Sequence, residues 1–222
     1  AEGAQLRAAG VTLPILKFSP TLPEDLDEAI AADITLSVGD ADAISEAQDA
    51  ARRAGRDVAV HLKIDTGMRR VGAEPVQAEE LAEQIVAAAN LRLHGVFTHL
   101  PISDVDEGDD FTHEQLARFD AVVARVEGVA GEVELVHSAN SGAVLGHDLG
   151  RTNLIRPGIM VYGSYPDVVG SHPADLRDVG RWTSRVNFVK RINAGESVGY
   201  GRTGTAERDT WIATVAVGYG DG

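Results

Sequence analysis

Cysteine is absent from the 222 residues, so this chain offers neither a disulfide nor a thiolate ligand for a metal ion. Apolar runs are short, and none reaches the roughly 18 residues that a membrane-spanning helix needs. The first ten residues, AEGAQLRAAG, show no signal-peptide pattern. These absences predict a cytoplasmic protein that makes no contact with a membrane.

Basic residues are also scarce, because 20 Lys and Arg stand against 34 Asp and Glu, for a net charge of −14. This balance argues against a nucleic-acid partner, which usually requires a basic face, and suits a protein that handles small molecules. The lysines are restricted to Lys17, Lys63 and Lys190, which limits the lysines available for chemistry. No His-x-His or His-Glu-x-x-His pattern occurs, so we expect no metal site.

Hydrophobic residues make up 44% of the chain, enough for a substantial core, and they fall into alternating strand-like and helix-like stretches. Strands are predicted at six places, 14–18, 34–38, 57–65, 93–100, 133–140 and 154–158. Asp40 is a predicted helix cap, and Thr112-His-Glu-Gln115 resembles a capping box that opens another helix. The alternation predicts an α/β fold with a parallel sheet and helical crossovers. No Gly-x-Gly-x-x-Gly turn supports a dinucleotide-binding fold.

Polar residues recur where the predicted strands end, at Lys63 and Asp65, His99, His137 and Asn140, and Arg156. In a (β/α)8 barrel of the TIM type, active-site residues lie at that end of the strands. Six strands are too few to close such a barrel, so we expect about two βα units to precede residue 1. After Tyr165 the sequence changes to loops and short β runs. We therefore predict a partial barrel over 1–170 and the start of an all-β domain over 171–222.

The last two predicted strands carry the strongest signal for a ligand. His137, Asn140, Ser141 and Gly142 lie where a strand gives way to a helix, whose N-terminus suits a phosphate. Arg156, with Gly158 and Ile159 after it, ends the next strand; the purely structural alternative is a serine cap and a surface arginine. His99 is either ligand-facing or structural. The other five histidines are assigned no role, namely His61, His94, His113, His147 and His172.

Five motifs, in order, resemble those of alanine racemases: KIDTGMRRVG, GVFTHL followed by THEQLARF, HSANSGAVL, IRPGIMVYG, and the stretch from SVGYGRTG to VAVGYGDG. The family's members are pyridoxal-phosphate enzymes with a (β/α)8 barrel and a C-terminal β domain. The resemblance implies interconversion of L- and D-alanine, which supplies D-alanine for peptidoglycan. It also implies a homodimer in which one subunit's β domain completes the other subunit's active site.

The resemblance also implies individual roles. Tyr219 resembles the catalytic tyrosine, and His99 resembles the histidine that links it to Arg156. Arg70 resembles the arginine near the cofactor's phenolic oxygen and the substrate carboxylate. Lys63 resembles a lysine that is often carbamylated, whose new carboxylate holds that arginine.

Cofactor contacts are implied in the same way. Arg156 resembles the arginine that hydrogen-bonds the pyridine nitrogen. Ser141 and the amides of Gly158 and Ile159 resemble part of the phosphate cradle, to which we add Asn140 and His137.

One departure from the family stands out. The family's Schiff-base lysine lies in an N-terminal strand motif that has no counterpart here, and we expect it to precede residue 1. Three alternatives stay open: a racemase of broader specificity, for serine or lysine; a non-catalytic pyridoxal-phosphate-binding barrel; and a decarboxylase on the related fold. The motif VAVGYGDG argues against the second, and the absence of cysteine argues against the third.

Overall fold

A computed structural model describes residues 1–166 and 174–221. The chain divides into two compact units, Ala1–Arg177 and Asp178–Gly222. The domain boundary predicted between residues 170 and 171 lies outside the described residues, as does His172. Within the described part of the chain, no helix combines the length and apolar character needed to cross a membrane.

The described part of the first unit is built on five parallel strands: β1 (Ile15–Leu16), β2 (Ile34–Val38), β3 (Val58–Lys63), β4 (Leu91–Phe97) and β5 (Leu135–His137). Within residues 1–166, six α-helices accompany them: α1 (Glu2–Ala8), α2 (Leu26–Ala31), α3 (Ala41–Ala54), α4 (Ala78–Ala87), α5 (Asp109–Ala130) and α6 (Ser141–Gly146).

The strands follow one another in the sheet in chain order, β1-β2-β3-β4-β5, and every pair is parallel. A doubly wound sheet would reverse this order at a switch point, whereas a barrel does not. The apolar residues of β2 to β5 form a single cluster with those of α2, α3, α4 and α5. These helices therefore cover one face of the sheet, and the other face is the barrel interior. The predicted α/β barrel class is confirmed.

Local sequence explains where the helices begin and end. The Asp40 side chain accepts a hydrogen bond from the Ala43 amide (2.8 Å), which caps α3 as predicted, and Gly55 ends that helix in the left-handed conformation at φ 65°. The capping box predicted at Thr112 was wrong, because α5 begins at Asp109. Thr112 and Gln115 lie buried within α5, and their side chains bond to Ile102 and Thr66 instead.

The sixth strand predicted at 154–158 does not form. Within this segment Leu154 and Arg156 donate single backbone hydrogen bonds to Val136 and Ala139 in and after β5. Pro157 lacks an amide hydrogen and interrupts any regular ladder there. The segment continues into a short 3₁₀ helix at Ile159–Tyr162.

Between residues 178 and 221 the second unit contains four short antiparallel strands. β6 (Val186–Ile192) pairs with β9 (Thr210–Val215), and β7 (Ser197–Val198) pairs with β8 (Gly204–Thr205). This region agrees with the predicted change to all-β structure.

Candidate active site

Side chains from the carboxyl ends of the strands surround a cavity of about 270 Å³ in the first unit. Lys63, at the end of β3, lines it together with Arg70, His99 and Arg156. The sequence placed these four residues in one site, and the structure brings them together. Three of the four carry a positive charge, so the cavity favours an anionic ligand.

Arg156 is fixed by four neutral acceptors. Nη1 donates to Nδ1 of His137 (2.7 Å), and Nη2 donates to the carbonyl oxygens of Thr98 (2.7 Å) and Ser138 (3.0 Å) and approaches Nδ1 of His99 (3.5 Å). Among the described residues no carboxylate pairs with this guanidinium. Burial lowers the pKa of Arg156 to about 10, so the side chain keeps its charge at neutral pH. The site therefore holds an uncompensated cation.

Lys63 is the second buried cation, with 7% of its surface exposed. Its Nζ lies 4.4 Å from the centroid of the Phe97 ring, and no carboxylate in 1–166 or 174–221 pairs with it. Burial, with the nearby charges of Arg156 and Arg70, lowers the pKa of Lys63 to about 8. A substantial fraction of this amine is consequently neutral and nucleophilic near pH 8.

Arg70 lies in a loop that folds back onto the end of β3. The amide of Asp65 donates to Ala73 (2.8 Å), and the amide of Ala73 donates to Lys63 (2.9 Å). Inside the loop the Asp65 carboxylate accepts from the amides of Gly67 (2.9 Å) and Arg69 (3.1 Å), which is the structural role that its position indicates. The charges at this strand end thus have two functions: Asp65 shapes the loop, and Arg70 faces the cavity.

His99 presents an imidazole to the same cavity. Burial is the main cause that lowers its pKa, to about 4, and the charges of Arg156, Lys63 and Arg70 lower it further. The ring is therefore neutral at pH 7 and able to accept one hydrogen bond while donating another.

Ser141 and the segment after Arg156 meet at a second group of donors. The Ser141 Oγ accepts from the amides of Gly158 (2.9 Å) and Met160 (3.4 Å), which leaves its own hydroxyl hydrogen free to donate. The amide of Ile159 has no acceptor among the described residues. A hydroxyl and an amide without acceptors, beside the start of α6, suit a phosphate.

Asn140 uses its side chain within the fold. Its Oδ1 accepts from the Ser103 hydroxyl (2.7 Å) and from the amide of Ala143 (3.1 Å), and its Nδ2 donates to the Leu100 carbonyl (2.9 Å). Asn140, rather than Ser141, is thus the cap of α6. Its contact with a cofactor stays a prediction.

His137 lies behind Arg156 and is fully buried. Its Nε2 is 2.7 Å from Nδ1 of His61, a residue to which the sequence assigned no role. Strand alternation offered a signal: His61 lies two residues before Lys63 in β3, so both side chains point into the barrel. His94 was missed for a different reason, since it lies at an irregular point of the β3–β4 pairing that the sequence does not reveal.

Tyr219 belongs to the second unit, where it begins the one-turn helix Tyr219–Asp221 and is fully exposed. Its role, like those of the other predicted site residues, stays a prediction.

The fold and the cavity define a class: an α/β-barrel protein with a cationic pocket at the carboxyl ends of its parallel strands. The chain belongs to the alanine racemase family, whose N-terminal domain matches residues 1–166 and whose C-terminal domain matches residues 179–222. The resemblance found in the motifs is thereby confirmed.

Individual relatives agree with this assignment. The chain is 47% identical, over its entire length, to the alanine racemase of Cutibacterium acnes and spans 59% of that protein. The solved alanine racemase of E. faecalis superimposes with a TM-score of 0.81 at 32% identity, over 99% of this chain and 59% of the other. A histidine racemase from Leuconostoc mesenteroides matches with a TM-score of 0.79 at 25% identity, over 100% of this chain and 59% of the other.

Proposed function

We propose that the protein to which this chain belongs interconverts L- and D-alanine with pyridoxal 5'-phosphate as its cofactor. The observation that carries the proposal is Arg156, a buried cation held only by neutral acceptors at the base of a cationic cavity, in a chain whose relatives are named alanine racemase. Cytoplasmic location, predicted from the sequence, belongs to the same proposal.

The residues present fit this cofactor. Its phosphate would be held by the Ser141 hydroxyl and the Ile159 amide, two donors without acceptors among the described residues, together with the Gly158 segment. Arg156 would donate a hydrogen bond to the ring nitrogen. Because arginine keeps its proton, it disfavours protonation of that nitrogen.

Pyridoxal phosphate, when bound, withdraws electrons from the substrate's Cα and so makes the proton there acidic. The protein's residues hold and orient the reactants. Arg70, exposed at the cavity, would bind the substrate carboxylate. A carbamylated Lys63 would place a carboxylate in the cavity that fixes Arg70, which replaces one buried cation with an anion.

Tyr219 would move a proton at the substrate's Cα as one of two bases. One tyrosine serves only one face of the substrate, so racemisation needs a second acid–base group on the opposite face. We propose a homodimer in which Tyr219 reaches the barrel of the partner subunit. His99, neutral at pH 7 and 3.5 Å from Arg156, would link the tyrosine to that arginine.

A racemase acting on other amino acids is the second candidate, and the match to a histidine racemase favours retaining it. The same assay separates the two. The purified protein is incubated with pyridoxal phosphate and, in turn, the L-isomers of alanine, serine, lysine and histidine, and the D-isomers formed are quantified. We expect the highest kcat/KM for alanine; no D-alanine would contradict the main proposal, and a higher value for another amino acid would favour the second.

Tyr219→Phe tests the assigned base. Removing one hydroxyl should lower turnover in both directions by about a hundredfold or more, since general acid–base groups contribute on that order. Tyr200→Phe makes the same exchange at an equally exposed tyrosine of the second unit, and a larger loss of turnover in that variant than in Tyr219→Phe would assign the base to Tyr200. Normal turnover of Tyr219→Phe would show that another group is the base.

A further inference from the structure

Three histidines connect Arg156 to the surface carboxylate of Glu134 through the barrel interior. Beyond the bond from Arg156 to His137, His137 Nε2 lies 2.7 Å from His61 Nδ1, and His61 Nε2 lies 3.3 Å from His94 Nδ1. The far ring nitrogen, His94 Nε2, lies 3.2 Å from Glu134 Oε1. Each ring contributes one nitrogen to the residue before it and one to the residue after it.

The two ends of this hydrogen-bond chain, Arg156 and Glu134, set the position of every hydrogen within it. Arg156 only donates, so His137 must accept at Nδ1 and carry its hydrogen on Nε2. At the other end a carboxylate only accepts, so His94 must carry a hydrogen on Nε2. Its Nδ1 faces Nε2 of His61 and accepts when that nitrogen donates. His61 fits between them only as the same tautomer. All three rings therefore donate through Nε2, and the hydrogens point in one direction from Arg156 to Glu134.

Burial keeps the inner rings neutral, which this arrangement requires. His61 is 2% exposed and His137 is 0% exposed. Desolvation is the largest cause that lowers the pKa of His61 to about 3 and that of His137 to about 2, and the charge of Arg156 adds to both. Glu134 is at the surface, where hydrogen bonds from His94 and Arg92 lower its pKa and keep it an acceptor.

The backbone is shaped to admit the His61 ring. The β3–β4 register shifts between Val60 and His61, so that Val60 pairs with Leu93 but His61 pairs with Gly95 and not with His94. A Cβ on Gly95 would lie 2.6 Å from the ring atoms Nδ1 and Cε1 of His61. The irregularity and the glycine together leave the space in which His61 reaches His137.

This arrangement of hydrogen bonds does not suit proton conduction to the active site. The hydrogen-bond chain ends at the guanidinium of Arg156, which neither releases nor accepts a proton under ordinary conditions. What it can do is orient the His137 ring and strengthen its Nδ1 as an acceptor, because each hydrogen bond in a chain polarises the next.

We propose that His61, His94 and Glu134 are positioning residues that act through His137 to hold the Arg156 guanidinium in place at the cavity. The inference rests on the proposed function for its kinetic consequence only. The direction of the hydrogens follows from the geometry alone.

The first test measures the tautomers and needs no substrate or turnover. Nitrogen-15 NMR of the histidine-labelled protein, or neutron diffraction, should show the hydrogen on Nε2 alone for His61, His94 and His137. A hydrogen on Nδ1 of any of the three histidines would overturn the proposed direction of the hydrogen bonds. This result stands whether or not the protein racemises alanine, so its failure is distinguishable from failure of the proposed function.

The second test changes the acceptor at the surface end of the histidine hydrogen bonds, where a substitution disturbs folding least. Glu134→Lys replaces the acceptor by a donor, whereas Glu134→Gln retains an acceptor oxygen; Glu132→Lys makes the same charge reversal at a neighbouring exposed position. We expect Glu134→Lys to lower kcat about tenfold, the size seen when outer hydrogen-bond partners of a site are removed. Its KM should stay near the wild-type value, and the absorption maximum of the bound cofactor should shift.

Glu134→Gln and Glu132→Lys should both retain the wild-type kcat and spectrum. Equal behaviour of Glu134→Lys and Glu132→Lys would overturn the positioning role. An equal loss of activity in Glu134→Gln and Glu134→Lys would also overturn the positioning role. The glutamine keeps an acceptor oxygen for His94, so the hydrogen bonds should keep their direction and the variant its activity.

Discussion

The Nζ of Lys63 lies 4.4 Å from the centroid of the Phe97 ring, and the Cζ of Arg156 lies 5.6 Å from the same centroid. The ring also stacks on His137, with centroids 4.7 Å apart and planes within 5°. The π face of Phe97 thus partly offsets two cations that find no carboxylate among the described residues. An anion that enters the cavity, or chemical modification of Lys63, would stabilise the site further.

Carbamylation of Lys63 is the first prediction. The reaction with CO₂ needs a neutral amine, and the pKa of Lys63, lowered to about 8, supplies one in the range of pH 7 to 9. In ¹³C-bicarbonate we expect one carbamate resonance in the NMR spectrum, and it should grow as the pH rises from 7 to 9.

Two lysine variants assign that resonance. Lys63→Ala should abolish it, and Lys190→Ala should leave it intact, because Lys190 is exposed on β6. A resonance that survives in Lys63→Ala would place the modification elsewhere, and the absence of any resonance in the wild-type protein would mean that Lys63 remains a free amine.

The role of Arg156 gives the second prediction. Arg156→Lys keeps the charge but cannot donate to His137, Thr98 and Ser138 at once, because a lysine offers a single nitrogen. We expect kcat/KM for alanine to fall by about a hundredfold, as when one positioned donor is lost from an active site.

Arg151→Lys makes the same exchange at an exposed arginine that pairs with Glu127 at the surface, and should leave kcat/KM unchanged. If Arg156→Lys is as active as Arg151→Lys, charge alone suffices at this position and the fixed geometry of the guanidinium is irrelevant.

The barrel strands could be predicted because their signal is local. Apolar runs between turn residues placed β2 at residues 34–38, where it is observed, and placed β3 and β4 within a few residues of their observed limits. The segment 154–158 also begins with two apolar residues, Leu154 and Ile155. Whether it forms a strand depends on a neighbour's backbone, and here it makes only isolated bonds with the β5 region.

The residues of the site also fall into those that a local sequence signal reveals and those that it does not. Lys63, His99 and Arg156 could be identified because polar residues at strand ends are conspicuous in sequence. For His61 the sequence offered only its alternation with Lys63 in β3, and for His94 it offered no signal. Their contacts are 76 and 33 residues away along the chain, with His137 and with each other. A single irregularity in the β3–β4 register puts them within reach, and no local pattern encodes it.

Acid stability is the third prediction. The pKa values of His61, His99 and His137 are lowered to about 3, about 4 and about 2, below the ordinary value of 6.5. Between these values and pH 6.5 the unfolded chain binds protons that the folded chain does not. Stability present at pH 7 is therefore lost as the pH falls below about 6.5, by up to about 1.4 kcal/mol per pH unit for each such histidine.

Urea unfolding between pH 7 and pH 5 measures this slope. His61→Phe removes one of the three groups and should reduce the slope by up to one proton. An equal slope in His61→Phe and in the wild-type protein would mean that His61 is charged in the folded state.

The close approach of Gly95 to His61 gives the fourth prediction. In Gly95→Ala the new Cβ would lie 2.6 Å from the His61 ring and 2.8 Å from the Leu135 carbonyl oxygen, closer than carbon atoms tolerate. The ring or the strand must shift, at a cost of about 1–3 kcal/mol in the free energy of unfolding. Because the shift displaces His61 from His137, the Nε2–H group of His137 loses its acceptor, and the NMR resonance of that group should also move.

Gly128→Ala separates this effect from the general effect of replacing a glycine. Gly128 lies within α5, and a Cβ there would meet nothing within 4 Å. Alanine is favoured over glycine in a helix by roughly 1 kcal/mol, so this variant should be more stable than the wild-type protein. If Gly95→Ala were instead as stable as the wild-type protein and kept its His137 Nε2–H resonance, His61 would have room to move without losing its partner. Gly95 would then not be what holds the ring in place.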